Sequence, residues 1–84
     1  MVSYLILCRS LTYAQRTAKI LERAGIRGGV MRLPRSISSE GCGYCVRISE
    51  QWLAKALVAL KKEGIPPKQV YMERDDRTYS EVET

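Results

Sequence analysis

Tyr4-Leu5-Ile6-Leu7-Cys8-Arg9-Ser10-Leu11 (residues 4–11) takes this 84-residue chain from a strand into a helix. The unbroken apolar run from Tyr4 to Cys8 suits a central strand buried on both faces. Ser10 is placed to cap a helix. Leu11, Ala14, Ala18 and Leu21 then recur at helical spacing, with Arg16, Lys19, Glu22 and Arg23 on the other side. Gly25 ends that helix as a left-handed cap. Val30-Met31-Arg32-Leu33 reads as a second strand stopped by Pro34, and Tyr44-Cys45-Val46-Arg47-Ile48 as a third.

The second half repeats the first. A shift of 39 residues places Ser10 on Ser49, Ala14 on Leu53, Ala18 on Leu57 and Leu21 on Leu60. The same shift places Gly25-Ile26 on Gly64-Ile65. Ser49 is therefore expected to cap a second helix, and Val70-Tyr71-Met72 to form a last strand. Strand–helix–Gly-Ile–strand used twice gives the order βαββαβ. That order predicts an α+β, ferredoxin-like sandwich: a four-stranded antiparallel sheet with both helices on one face. Residues 1–72 are expected to form the domain and residues 73–84 a flexible acidic tail.

Topology brings distant residues together. Right-handed crossovers put strands one and three side by side in the centre, antiparallel. The end of strand one, Cys8 and Arg9, then lies beside the beginning of strand three, Cys42 and Gly43. The first helix starts at the same rim, near Ser10, and its N–H groups and dipole favour an anion there.

The chemistry of that rim rests on sulfur, because the chain has no histidine and three cysteines. Cys42-Gly43-Tyr44-Cys45 is a CxxC pair leading into a strand-like run, unlike a redox pair at a helix start. This argues for a thiol that carries or binds something over one that shuttles disulfides. Gly41 and Gly43 flank Cys42, allowing unusual backbone angles and close approach of a bound group. A helix start and Arg9 or Arg35 nearby are expected to raise its thiolate fraction. Cys45 has two readings: a packed strand residue, or a resolving thiol for Cys42. Cys8 reads as a small buried hydrophobe that strand order sets beside Cys42.

Other chemistries find less support. Three thiolates leave zinc one ligand short, although Glu40 or a partner chain would complete a site. No Ser/His/Asp or paired-carboxylate arrangement exists, so no enzyme activity is expected. The +5 net charge divides into +8 over residues 1–72 (12 Lys/Arg, 4 Glu) and −3 over residues 73–84 (2 Arg, 5 acids). A basic body admits RNA or a small anion, but the aromatic pattern of RNA-recognition domains is missing. An odd cysteine count and no apolar segment of membrane-spanning length point to a cytoplasmic protein with reduced thiols.

Leu7-Cys8-Arg9-Ser10, Ala24-Gly25-Ile26, Leu33-Pro34-Arg35-Ser36-Ile37-Ser38-Ser39 and Cys42-Gly43 together resemble a family of small bacterial selenium/sulfur carrier-like domains. The resemblance covers roughly residues 3–72. It implies a domain that holds sulfur or selenium on a cysteine between a donor, such as a cysteine desulfurase-like protein, and an acceptor protein. It assigns the carried atom to Cys42, access to Gly43, and the shape of the loop to Pro34, Arg35, Ser38 and Ser39. Cys45 and Cys8 stand as supporting thiols, with no resident cofactor. A regulatory or assembly module binding zinc or an anion through the cysteine rim is the alternative, and RNA binding a weaker one. A homodimer through the open sheet face is also expected, since strand one is apolar on both parities.

Overall fold

The computed structural model describes residues 2–37 and 43–82. The elements are β1 (Ser3–Cys8), α1 (Leu11–Arg23), β2 (Gly29–Arg32), β3 (Tyr44–Ser49), α2 (Leu53–Lys62), β4 (Val70–Glu73) and β5 (Tyr79–Val82). They form one five-stranded sheet in the order β2-β3-β1-β4-β5, every neighbouring pair antiparallel. The apolar run of β1 thus lies at the centre, between β3 and β4.

Each helix is built from its own sequence signals. The Ser10 hydroxyl accepts a hydrogen bond from the Tyr13 amide at 3.1 Å, so α1 starts at the expected cap. Both helices end alike. The Ile26 amide donates to the Leu21 carbonyl at 2.8 Å, and the Ile65 amide to the Leu60 carbonyl at 3.0 Å. Gly25 and Gly64 sit between, at φ 82° and 77°. These are two matching left-handed helix ends, each folding an isoleucine back onto the core.

Two expectations need correction. The sheet has five strands, not four, because part of the stretch expected as a tail pairs with β4. The chain turns through Arg74–Thr78, where the Asp76 carboxylate accepts from the Thr78 amide at 3.2 Å and hydroxyl at 2.7 Å. Arg77 takes the left-handed position at φ 66°, a role usually filled by glycine or asparagine. Ser49, the expected second cap, is the last residue of β3 and makes no capping bond. A short 3-10 turn, Glu50–Trp52, precedes α2 instead. Trp52 packs against the core, with the Lys55 ammonium 5.5 Å from its ring centre.

The core lies between the helices and one sheet face. Ile6, Cys8, Val46, Ile48 and Val70 from the sheet meet Ala14, Ile20, Leu21, Ala56 and Leu60 from the helices. On the opposite face Leu5 and Cys45 are also fully buried, and among the described residues no helix covers them. There Arg47 of β3 reaches across β1 to form an ion pair with Glu73 of β4. The Tyr79 hydroxyl of β5 donates to the second oxygen of that carboxylate at 2.9 Å. Register places this bridge over Ser3 and Leu5. A buried carboxylate without such partners would be strongly disfavoured.

Candidate functional site: a basic cleft where β1 meets α1

The three central strands part company at one end of the sheet. β1 stops at Cys8 and the chain turns into α1 through Arg9 and Ser10. On one side the Leu7 amide donates to the Gln69 carbonyl at 3.1 Å, tying down the segment ahead of β4. On the other the Leu33 amide donates to the Gly43 carbonyl at 3.1 Å, extending the β2–β3 pairing toward the same end. Between these two ties lies a cleft of about 440 Å³. Its floor and walls include Leu7, Cys8, Leu33, Gly43 and Pro66. Arg9, Tyr13, Lys68 and Gln69 also line it.

Among the described residues the cleft lining carries one sign of charge. Arg9 and Lys68 bring positive charge, and no described lining residue is acidic. Among the described residues neither cation has a carboxylate within ion-pair distance. The Arg9 guanidinium lies 5.0 Å from the centre of the Tyr13 ring, which holds it at the helix start.

Gly43 fits the cleft wall because of its backbone. Its φ of 133° is a conformation that side-chain-bearing residues rarely adopt. A Cβ there would also lie 3.4 Å from the Leu33 Cδ2 atom. Any other residue would strain the strand entry.

The two described thiols take opposite faces. Leu7 pairs with Cys45 and Cys8 with Tyr44, so the cysteines stand one register step apart on neighbouring strands. Cys8 faces the helices and is 7% exposed at the cleft floor. Its Sγ donates to the Ile6 carbonyl at 3.6 Å and to the Thr17 hydroxyl at 3.8 Å. Burial pushes the Cys8 thiol up, while the Thr17 hydroxyl, which can also donate to a thiolate, pulls the other way. Cys45 is fully buried on the open face, as in its packing reading. Burial pushes its thiol from 9.0 up to about 11; the nearby Cys8 adds to the shift, Arg47 opposes it and Glu73 adds again. Both are therefore protonated near neutral pH.

Cys42, Gly41, Ser38 and Ser39 lie outside the described residues. Arg35 is exposed in the turn after Pro34 and is not part of the cleft lining. Ser10 is engaged in capping α1. The structure thus brings Cys8, Arg9 and Gly43 to one rim and sets Cys45 behind the sheet. Lys68 and Tyr13 were missed. Lys68 was within reach of the topology, since antiparallel pairing of β4 with β1 puts the approach to β4 beside the end of β1. Among the described residues no group of three or more His, Cys, Asp or Glu could hold a metal ion. Among the same residues no helix is long and apolar enough to cross a membrane.

An α+β domain with a basic cleft at a strand-to-helix junction, and a cysteine preceding the glycine of its wall, is the class that these features define. The chain belongs to the family described as "Putative Se/S carrier protein-like", whose model matches residues 3–72. No curated protein and no solved structure matches it.

Proposed function

We propose that this protein is a non-catalytic carrier holding sulfur or selenium on Cys42 as a persulfide or selenopersulfide. The family match over residues 3–72 is the observation that carries the reading. The cleft geometry supports it. Cys42 directly precedes Gly43 in the chain, and Gly43 forms part of a cleft wall beside Arg9 and Lys68. Positive charge of this kind favours a thiolate and its anionic adduct. Cys8 and Cys45 are buried and protonated, which makes them poor nucleophiles by comparison. The sheet order and the internal repeat likewise support reading β1–β4 with both helices as a ferredoxin-like sandwich to which β5 has been added.

The transfer requires no resident cofactor. The Cys42 thiolate attacks the outer sulfur of a donor persulfide, such as that of a cysteine desulfurase-like protein. The donor's sulfur–sulfur bond breaks, its cysteine leaves as a thiolate, and Cys42 becomes the persulfide. An acceptor thiolate then attacks the outer sulfur of Cys42, which leaves as a thiolate. A donor-bound selenopersulfide passes selenium by the same two displacements, and neither step changes the overall count of electrons.

Intact-mass measurement after incubation with a persulfide-loaded desulfurase tests the reading. The expected result is a gain of one sulfur atom that is lost in Cys42→Ser and kept in Cys8→Ser and Cys45→Ser. A gain that persists in Cys42→Ser, or no gain in the unaltered chain, would sink it.

A further inference from the structure

The cleft is larger than a carrier thiol alone needs. At about 440 Å³ it falls within the size range of small-molecule sites, about 300–1,000 Å³. A bare oxyanion would leave much of that volume empty. Its lining is also divided by chemistry. Leu7, Leu33 and Pro66 offer apolar surface, whereas Arg9 and Lys68 offer charge. The two cations come from separate segments, the β1–α1 junction and the approach to β4. Each is exposed and has no carboxylate within ion-pair distance among the described residues. Unneutralised cations beside an apolar floor suit a ligand that has both kinds of surface.

We propose that the cleft binds a small organic anion, a carboxylate-bearing thiol or its persulfide. Its carboxylate is held by Arg9 and Lys68, and its sulfur-bearing, apolar part rests against Leu7, Leu33 and Pro66. This deepens the carrier reading by naming a low-molecular-weight partner for the same rim, and it rests on that reading for its biological purpose. The binding itself depends on neither Cys42 nor any covalent step. Thiol sulfur is polarizable and weakly solvated, so it loses little by leaving water for such a floor.

The test is a titration of the full-length Cys42→Ser chain, followed by amide NMR, with 3-mercaptopropionate, cysteamine and thiosulfate as separate probes. The expected result is saturable movement of the Leu7, Arg9, Leu33, Gly43 and Lys68 amides with 3-mercaptopropionate, and none with the cationic thiol cysteamine at equal concentration. The Arg9→Gln/Lys68→Gln chain should bind roughly tenfold or more weakly, as loss of a charge-assisted contact predicts. Both residues are exposed, so the variant's amide spectrum should otherwise be preserved. Three results overturn the proposal: no saturable movement at the cleft, equal movement with cysteamine, or an unchanged affinity in the double variant. Equal or tighter binding of thiosulfate also overturns it, assigning the cleft to inorganic anions. Because the titration uses Cys42→Ser, anion binding together with a failed mass gain in the unaltered chain would remove the carrier reading alone.

Discussion

The two faces of the sheet bury side chains by different means. On the helix-covered face, Ile6, Val46, Ile48 and Val70 pack against Leu21, Leu60 and their neighbours. On the open face, Leu5 and Cys45 reach the same complete burial beside the Arg47–Glu73–Tyr79 bridge. Burial of the first kind is non-directional and scales with area. The second depends on a few directed contacts, so it responds to charge and pH. Part of the open face therefore becomes a titratable layer laid over an apolar one.

Core truncation on the covered face should cost most. Leu60→Ala removes a fully buried side chain between α2 and the sheet, with an expected loss of about 2–5 kcal/mol by urea denaturation. A loss below 1 kcal/mol would mean that α2 contributes little to the core.

Alkaline pH should act next, on the buried thiol of each face and most clearly on Cys45. The folded-state Cys45 thiol, at about 11, lies above its ordinary value of 9.0. Its contribution is fully present below pH 9 and is lost as pH rises from 9 through about 11. Two pH units correspond to roughly 2–3 kcal/mol at most. Burial likewise raises the Tyr79 phenol, with its hydrogen bond to Glu73 adding to the effect, so its stabilising share also fades above pH 10. Denaturation at pH 8 and pH 11 should show the fall, and Cys45→Ala should flatten part of it, with the raised Cys8 thiol and Tyr79 phenol accounting for the rest. An unflattened fall would assign the effect to other groups.

Removing one end of the bridge should cost about 1–3 kcal/mol in Arg47→Ala, since Glu73 stays buried with Tyr79 as its remaining side-chain partner among the described residues. The side chain of Arg47 is 43% exposed, which keeps the effect below that of a wholly buried pair. The smallest effect belongs to Thr17→Val on the covered face. Among the described residues its hydroxyl meets only the weak Cys8 thiol donor at 3.8 Å, so the loss should stay within about 1 kcal/mol. If Thr17→Val proved costlier than Arg47→Ala, the contrast between the faces would fail.

Much of this architecture was readable before any coordinate. The Gly25-Ile26 and Gly64-Ile65 pairs marked two helix ends that fold alike, because a left-handed glycine followed by an apolar residue is a strong local signal. The meeting of Cys8 and Arg9 with Gly43 followed from strand order alone. β5 escaped notice because Tyr79-Ser80-Glu81-Val82 is short and follows Asp75-Asp76-Arg77-Thr78, which lacks the glycine of common hairpin turns. There the Asp76 side chain supplies the turn chemistry that a glycine would have signalled. Ser49 misled for a related reason. A serine after a strand has the same composition whether it starts a helix or precedes a 3-10 turn, and only hydrogen bonds distinguish the two. The burial of Cys45 was one of two open readings, and the bridge beside it could not be read from a single strand. It joins residues on three strands, separated by 26 and 6 positions in sequence.

The central strand also settles how the molecule can be held. Ser3 starts β1 at one end and Cys8 closes it at the other, with Ser3 beside Ser49 and Glu73. At the usual rise per strand residue, that separates the two ends by roughly 17 Å. A tether or reporter attached ahead of Ser3 leaves from the end of the sheet remote from the cleft. The domain can therefore be anchored to a surface by its leading residues while the basic rim still faces solution.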